Sequence, residues 1–123
     1  MSRYPKPKPF KLSKKRYKKA PKNLKEITQE ELNEKLKRHR LWAITKGKAG
    51  TYEDFTGYNF TKLSFKAAIL NEADFRGSWL GETIFTKAIL KKCNFSNCWV
   101  EGSTSKGAVW AGANIEGTLW AIT

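Results

Sequence analysis

The 123-residue chain is poor in the residues from which most catalytic and metal sites are built. It has one histidine, His39, and two cysteines, Cys93 and Cys98. A structural zinc site needs about four ligands at closer spacing than this. A catalytic histidine wants a nucleophile or an orienting carboxylate, and no such constellation is visible around His39. Paired carboxylates in a perturbing setting are lacking, and so is a G-x4-G-K-[ST] phosphate loop. No catalytic, cofactor-binding or metal residue is assigned, and the chain reads as a non-enzyme. His39 is expected to pack or cap, and the two cysteines to fill space as small hydrophobes. No apolar run approaches the roughly 20 residues of a membrane span. The N-terminus has no apolar core of the secretory kind, and it is Lys- and Pro-rich rather than Arg-rich and amphipathic. These absences predict an intracellular protein: cytoplasmic in a bacterial or phage-infected cell, or carried in a virion.

Two further absences divide the chain. There is no acidic residue before Glu26 and no proline after Pro21. Residues 1–25 hold eleven Lys and Arg, giving +11; residues 26–48 sum to +2; residues 49–123 hold seven basic and seven acidic residues and sum to zero. Nearly all of the +13 therefore lies in an N-terminal tail, residues 1–26. Pro5, Pro7 and Pro9 alternate with lysines, which favours an extended, polyproline-like backbone. Alone in water such a tail cannot bury enough to order itself. Either it is a solvated appendage, or it is an arm that neutralises phosphates or another acidic surface. On the second reading the contacts come from Arg3, Lys6, Lys8, Lys11, Lys14, Lys15, Arg16, Lys18, Lys19 and Lys22, with Tyr17 a candidate stacking or anchoring group beside Tyr4 and Phe10.

A helix and a glycine linker are expected over residues 27–50. Thr28-Gln-Glu-Glu31 is a capping box opening a helix at about Gln29 to Trp42, with Ile27 and Leu32 placed as a hydrophobic staple. Glu31 with Lys35 and Glu34 with Arg38 are i,i+4 pairs in the favoured order. Leu32, Leu36, His39 and Ala43 share one face, and Gly47 and Gly50 end the helix.

From residue 51 to 123 the chain is periodic. A large apolar residue recurs every five positions from Phe55 to Val100, lapses at Ser105, and resumes at Trp110, Ile115 and Trp120. Two positions before, there is mostly a small residue, Ala, Ser, Thr or Cys, from Ala68 to Thr118. A stronger echo comes at twenty: Gly57, Gly77, Asn97 and Gly117, and Asp54, Asp74, Asn94 and Asn114. A fixed short period means a solenoid. Five residues with two inward positions make one side of a square coil, so four sides use twenty residues. Gly and Asn suit the corners, and Asp and Asn can bond the nearby backbone. About three and a half coils result, with the helix as the cap of one end. The other end carries Trp120 and Ile122, which either form an interface, most simply for a homodimer, or fold back as a plug.

The chain resembles the pentapeptide-repeat proteins, whose repeat is written A(D/N)LXX. The closest copies are Ala73-Asp-Phe-Arg-Gly77 and Ala113-Asn-Ile-Glu-Gly117, and Leu36, His39, Trp42, Gly47 and Gly50 match a segment common upstream of such repeats. The fold implied is an all-β solenoid, a right-handed quadrilateral β-helix. In that fold the residue just before the central one faces outward and is usually Asp or Asn. Here that slot holds Trp79, Trp99 and Leu119 on one side and Ile69, Ile89 and Val109 on another. Apolar residues stacked outside a rod imply either a protein partner or cover by the N-terminal segment. The layout suits a non-enzymatic module that binds a protein partner with its rod and nucleic acid or an acidic assembly with its arm. A phage structural or accessory protein, or a ribonucleoprotein component, would have this form. The resemblance also implies an alternative, modulation of DNA gyrase or a related topoisomerase by imitating duplex DNA, which a short neutral rod disfavours.

Overall fold

The computed structural model describes residues 20–121. Five short strands and one helix follow in the order β1 (Lys25–Glu26), α1 (Gln29–Ile44), β2 (Tyr58–Asn59), β3 (Trp79–Gly81), β4 (Trp99–Glu101) and β5 (Leu119–Ala121). The strands form one parallel sheet in sequence order. From β2 onward the pairing steps by twenty residues, Asn59 to Trp79 to Trp99 to Leu119. Three more parallel ladders of isolated bridges take the same step: Asp54, Asp74, Asn94, Asn114; Ser64, Ile84, Thr104; and Ile69, Ile89, Val109. The five-residue period thus becomes four sides, each repeated once per twenty residues.

Stacking at a strand spacing of roughly 4.8 Å puts like side chains over like. Phe55, Phe75 and Phe95 form one internal column, with ring centroids 5.1 and 4.8 Å apart and nearly parallel planes. Phe65 and Phe85 form another at 4.9 Å. Rings of different columns meet edge to face, as in Phe60 against Phe65 at 5.1 Å, the arrangement that aromatic quadrupoles favour. The lapse at Ser105 ends the Phe65–Phe85 column. Trp110 leans over the gap, 5.3 Å from the Phe95 ring, and leaves a cavity of about 40 Å³ between Leu80, Phe85, Phe95 and Val100.

The small inward residues do more than fill space. Ser78, Thr83, Cys93, Cys98, Ser103 and Thr118 each donate a side-chain hydrogen bond to the carbonyl of the residue 23 positions earlier, one coil below. At the corners, Asp54, Asp74, Asn94 and Asn114 accept from the backbone N–H two residues on, the local bond expected of these side chains. Positive φ is found at Gly57, Gly77, Asn97 and Gly117 as the echo predicts, and also at Lys62, Ala67, Glu72, Glu82, Lys87 and Lys92. Backbone pairing between coils enforces the left-handed corner even where the side chain disfavours it.

The capping box is formed. Thr28 Oγ1 accepts from the Glu31 N–H and Glu31 accepts from the Thr28 N–H, at 3.1 and 2.9 Å. The helix runs two residues beyond Trp42, to Ile44. The expected i,i+4 pairs do not form. Glu31 is held by the cap, while Lys35 and Arg38 turn inward to Glu53, at 3.3 and 3.0 Å; Glu34 pairs with Lys37 instead. The segment expected as tail up to residue 26 ends in β1, which pairs with β2. Leu32 is buried in the core cluster, and the Gln29 carboxamide bonds both the N–H and the C=O of Ser64, at 2.8 and 3.0 Å. A glutamine side chain thereby makes the two bonds that a neighbouring strand would have made.

Gly50 sets the join between α1 and the repeats. Its φ is +73°, and a Cβ there would lie 2.4 Å from the Arg38 carbonyl oxygen and 2.5 Å from the Trp42 nitrogen. Gly50→Ala should therefore cost at least about 2 kcal/mol, from a strained φ and a backbone clash. Urea unfolding of the full chain reads this as a lower midpoint. An unchanged midpoint would show that the join can relax at no cost.

Candidate functional site

Three surfaces were singled out by the sequence: the arm, the outward apolar ladders and the end of the rod. Of the arm, Arg3, Lys6, Lys8, Lys11, Lys14, Lys15, Arg16, Tyr17, Lys18 and Lys19 lie outside the described residues, as does Ile122 at the other end. Lys22 is described and exposed. The arm's root is well defined. Lys25 N donates to the Gly57 carbonyl at 2.9 Å. The Lys25 ammonium sits 4.2 Å from the centre of the Tyr58 ring and 3.2 Å from Asp54.

Trp79 and Trp99 are adjacent rungs as expected, with ring centroids 4.9 Å apart and planes 13° off parallel. They are not an open face. Trp79 is 8% exposed and Trp99 1%, in a cluster with Leu24 against which Ala20 also packs. The exposed tryptophan patch is thus corrected: the stretch of chain ahead of β1 crosses the ladder, because burying two indoles there is more favourable than leaving them wet. Leu24 was missed from the sequence. Its signal was available, since it is the one large apolar residue between Tyr17 and Ile27, placed just before a strand that pairs alongside the tryptophans.

The other apolar ladder behaves differently. Ile69, Ile89 and Val109 are stacked by bridges and remain half-exposed. A groove along the first of them is lined by Leu36, Lys37 and Arg40 of α1 together with Lys66 and Ile69. At the far end of the rod, β5 places the backbones of Leu119 and Trp120 on the sheet, and Ile115 is 50% exposed in an inward slot.

His39 and Glu53 join helix to rod. His39 is fully buried; Nε2 donates to the Asn71 carbonyl at 3.0 Å, and Nδ1 accepts from the Glu53 N–H at 3.3 Å. That pattern fits the neutral ring. Burial lowers its pKa, against an opposing pull from the Asn71 bond and the charges of Glu53 and Glu72. Burial pushes the Glu53 carboxyl up, but hydrogen bonds and charge from Arg38 and Lys35 outweigh it and hold the group below its ordinary range. Burial pushes both thiols up to about 12, so Cys93 and Cys98 are unreactive hydrogen-bond donors inside the core. Among the described residues there is no cluster of three or more His, Cys, Asp or Glu able to hold a metal, and no helix is long and apolar enough to cross a membrane.

Four parallel ladders with a corner every five residues define a four-sided β-solenoid. Residues 68–104 match the family model of pentapeptide repeats, in eight copies. That stretch, about a third of the chain, is similar to the pentapeptide-repeat proteins. Its fold is similar to the crystal structure of a pentapeptide repeat protein, Rfr23, from the cyanobacterium Cyanothece 51142, with a TM-score of 0.52 at 21% identity over 54% of this chain and 46% of that one. A second match is HetL, a pentapeptide repeat protein involved in heterocyst differentiation regulation from Nostoc sp. strain PCC 7120, at 18% identity and a TM-score of 0.27, over 54% of this chain and 38% of that one. The chain thus spans less than half the length of either solved structure. No curated protein matches it. The match over residues 68–104, the fold similarity to Rfr23 and the four parallel ladders support the right-handed quadrilateral β-helix that the resemblance implied.

The His39 geometry sets a pH dependence. The folded ring resists protonation, so its pKa lies below the ordinary 6.5. As pH falls below that value the unfolded chain takes up a proton and the folded one does not, so stability falls. With no second histidine, and Glu53 titrating lower, the loss between about pH 7 and pH 5 belongs to His39. His39→Gln should flatten that slope in urea midpoints, whatever its effect at neutral pH; an equal slope in the variant would refute the assignment. Leu24→Ser should redden tryptophan emission and cost about 2 kcal/mol, with the β-sheet circular dichroism retained. Unchanged emission would mean that Leu24 does not shield the pair.

Proposed function

We propose that the protein is a non-enzymatic interaction module. A rigid rod of about three and a half coils, capped by α1, presents a protein-binding side, and a basic arm reaches nucleic acid or an acidic assembly. The observation that carries this reading is the rooting of the arm. β1 is hydrogen-bonded to the sheet and Leu24 is seated among Trp79 and Trp99. A segment with nine basic and no acidic residues, 1–19, is thereby attached at a fixed place on a stiff body. Such an arm gains affinity by releasing counterions from a polyanion. In this reading the tryptophans serve as the arm's seat, and the partner surface moves to Ile69, Ile89 and Val109. The end of the rod, with Ile115 half in water, is left to a second copy of the chain. The setting that suits these parts is a phage structural or accessory protein or a ribonucleoprotein component, in the cytoplasm or a virion. Topoisomerase modulation by imitation of DNA is disfavoured, because residues 49–123 sum to zero charge where a duplex mimic would be acidic.

The arm should be removed at residue 19, not further, since Ala20, Leu24 and β1 belong to the folded body. Loss of residues 1–19 should lower affinity for a labelled oligonucleotide by at least about a hundredfold at low salt and flatten the plot of log affinity against log salt. Binding that survives the truncation with the same salt slope sinks the arm reading.

A further inference from the structure

The zero net charge of residues 49–123 conceals an uneven distribution. The twenty-residue register places the side carrying Ile69, Ile89 and Val109 between two corners. One corner carries Lys66, Lys87 and Lys106, and the other carries Lys91 and Lys92. The corners are stacked by backbone bonds: Ala67 N to the Thr86 carbonyl and Lys87 N to the Lys106 carbonyl on one, Glu72 N to the Lys91 carbonyl and Lys92 N to the Ala111 carbonyl on the other, all at 2.8–2.9 Å. Five of the seven basic residues of the repeat region therefore edge one side, against one of its seven acids, Glu72. All five lysines are exposed, and none has an ion-pair partner among the described residues. At the Ile69 end Glu30 and Glu34 of α1 line the adjoining groove, and Glu34 is paired to Lys37. At Ile89 and Val109 the charged residues of the corners are Lys87, Lys91, Lys92 and Lys106.

The other three sides differ. The tryptophan side is covered, the Asp54–Asn114 side is polar, and Ser64, Ile84 and Thr104 alternate. The lysine-edged side faces away from the tryptophan side, where the arm is rooted, and the arm's own positive charge repels it from these lysines. Its occupant must come from elsewhere and bring negative charge. The ladder is aliphatic, without an aromatic platform for bases, and a phosphate backbone gains nothing from Ile and Val. Three rungs span roughly 10 Å, the width of one extended strand or one helix.

We propose that this side docks an acidic segment of a partner protein, one whose carboxylates meet Lys87, Lys91, Lys92 and Lys106 and whose aliphatic side chains cover Ile89 and Val109. This rests on reading the rod as an interaction module and names the chemistry of its partner. Aliphatic contact supplies the affinity, and the lysines supply attraction and exclude basic partners.

The test uses the full chain and three labelled probes: a synthetic peptide alternating Glu with Val, a poly-Glu peptide of equal charge, and a single-stranded oligonucleotide. Two matched variants separate this side from general charge. Lys92→Glu lies on it and Lys62→Glu does not, yet both residues are exposed corner residues with φ near 60° and both changes alter net charge equally. Circular dichroism and melting check that both variants fold. The Glu/Val peptide should bind the wild type at least about tenfold tighter than poly-Glu, and Lys92→Glu should weaken it about tenfold while Lys62→Glu changes it less than about twofold. Ile89→Thr should erase the preference for the Val-bearing peptide. Equal weakening by the two charge reversals, or no preference for Val over Glu alone, overturns the proposal and leaves the interaction-module reading standing, since binding would then run through the arm. A loss on Lys92→Glu confined to the oligonucleotide overturns it in favour of a nucleic-acid surface. Failure of the full chain to bind any of the three overturns this proposal and the module reading together.

Discussion

The backbone bond from one coil to the next, repeated every twenty residues, is the constraint on which the rest depends. It is made by peptide groups and is indifferent to side-chain identity. Once formed, it dictates that residues twenty apart lie one above another. Phenylalanines then stack on phenylalanines, with centroids about 5 Å apart. Hydroxyls and thiols in the small slot reach the carbonyls of the coil below. Six corner residues other than Gly and Asn accept a left-handed φ because the ladder on either side holds them there. A non-glycine residue in that region costs roughly 1–2 kcal/mol in isolation, so the coil-to-coil bonds and the stacked core must outweigh several such costs.

A stack of this kind leaves each end with unpaired strands and an open core. Before the first coil, the chain supplies three substitutes. β1 pairs with Tyr58–Asn59, the Gln29 carboxamide imitates a strand at Ser64, and His39 bonds the Asn71 carbonyl and the Glu53 N–H. Glu53 then collects Lys35 and Arg38 from the helix. These groups come from an extended segment and a helix, yet they meet the same row of backbone donors and acceptors.

The parts of this structure governed by period were legible in the sequence. The inward slots, the corner bonds of Asp54 and Asn94, and the capping box at Thr28 all follow from local spacing. What was not legible depends on which distant group arrives first. Lys35 and Arg38 have intrahelical partners at ideal spacing, but Glu53 is buried and draws them both. Trp79 and Trp99 occupy an outward slot, and only the path of the segment holding Leu24 decides whether outward means exposed. The charge count misled in a different way. A sum over residues 49–123 is blind to the register, which gathers Lys66, Lys87, Lys91, Lys92 and Lys106 around one side and sends most acids elsewhere.

The common step of the four ladders also restricts how the gene can change length. Losing one residue would turn every later inward side chain outward. Losing five would restore the inward pattern but shift each later residue by one side; a loss between Trp79 and Trp99, for example, would set Trp99 over Asp74 instead of over Trp79. Only a gain or loss of twenty, one whole coil, returns each residue to its own column. Growth or shrinkage of such a chain should therefore be quantised, and an alignment gap of any other length within residues 53–121 would mark a bulge or a broken coil.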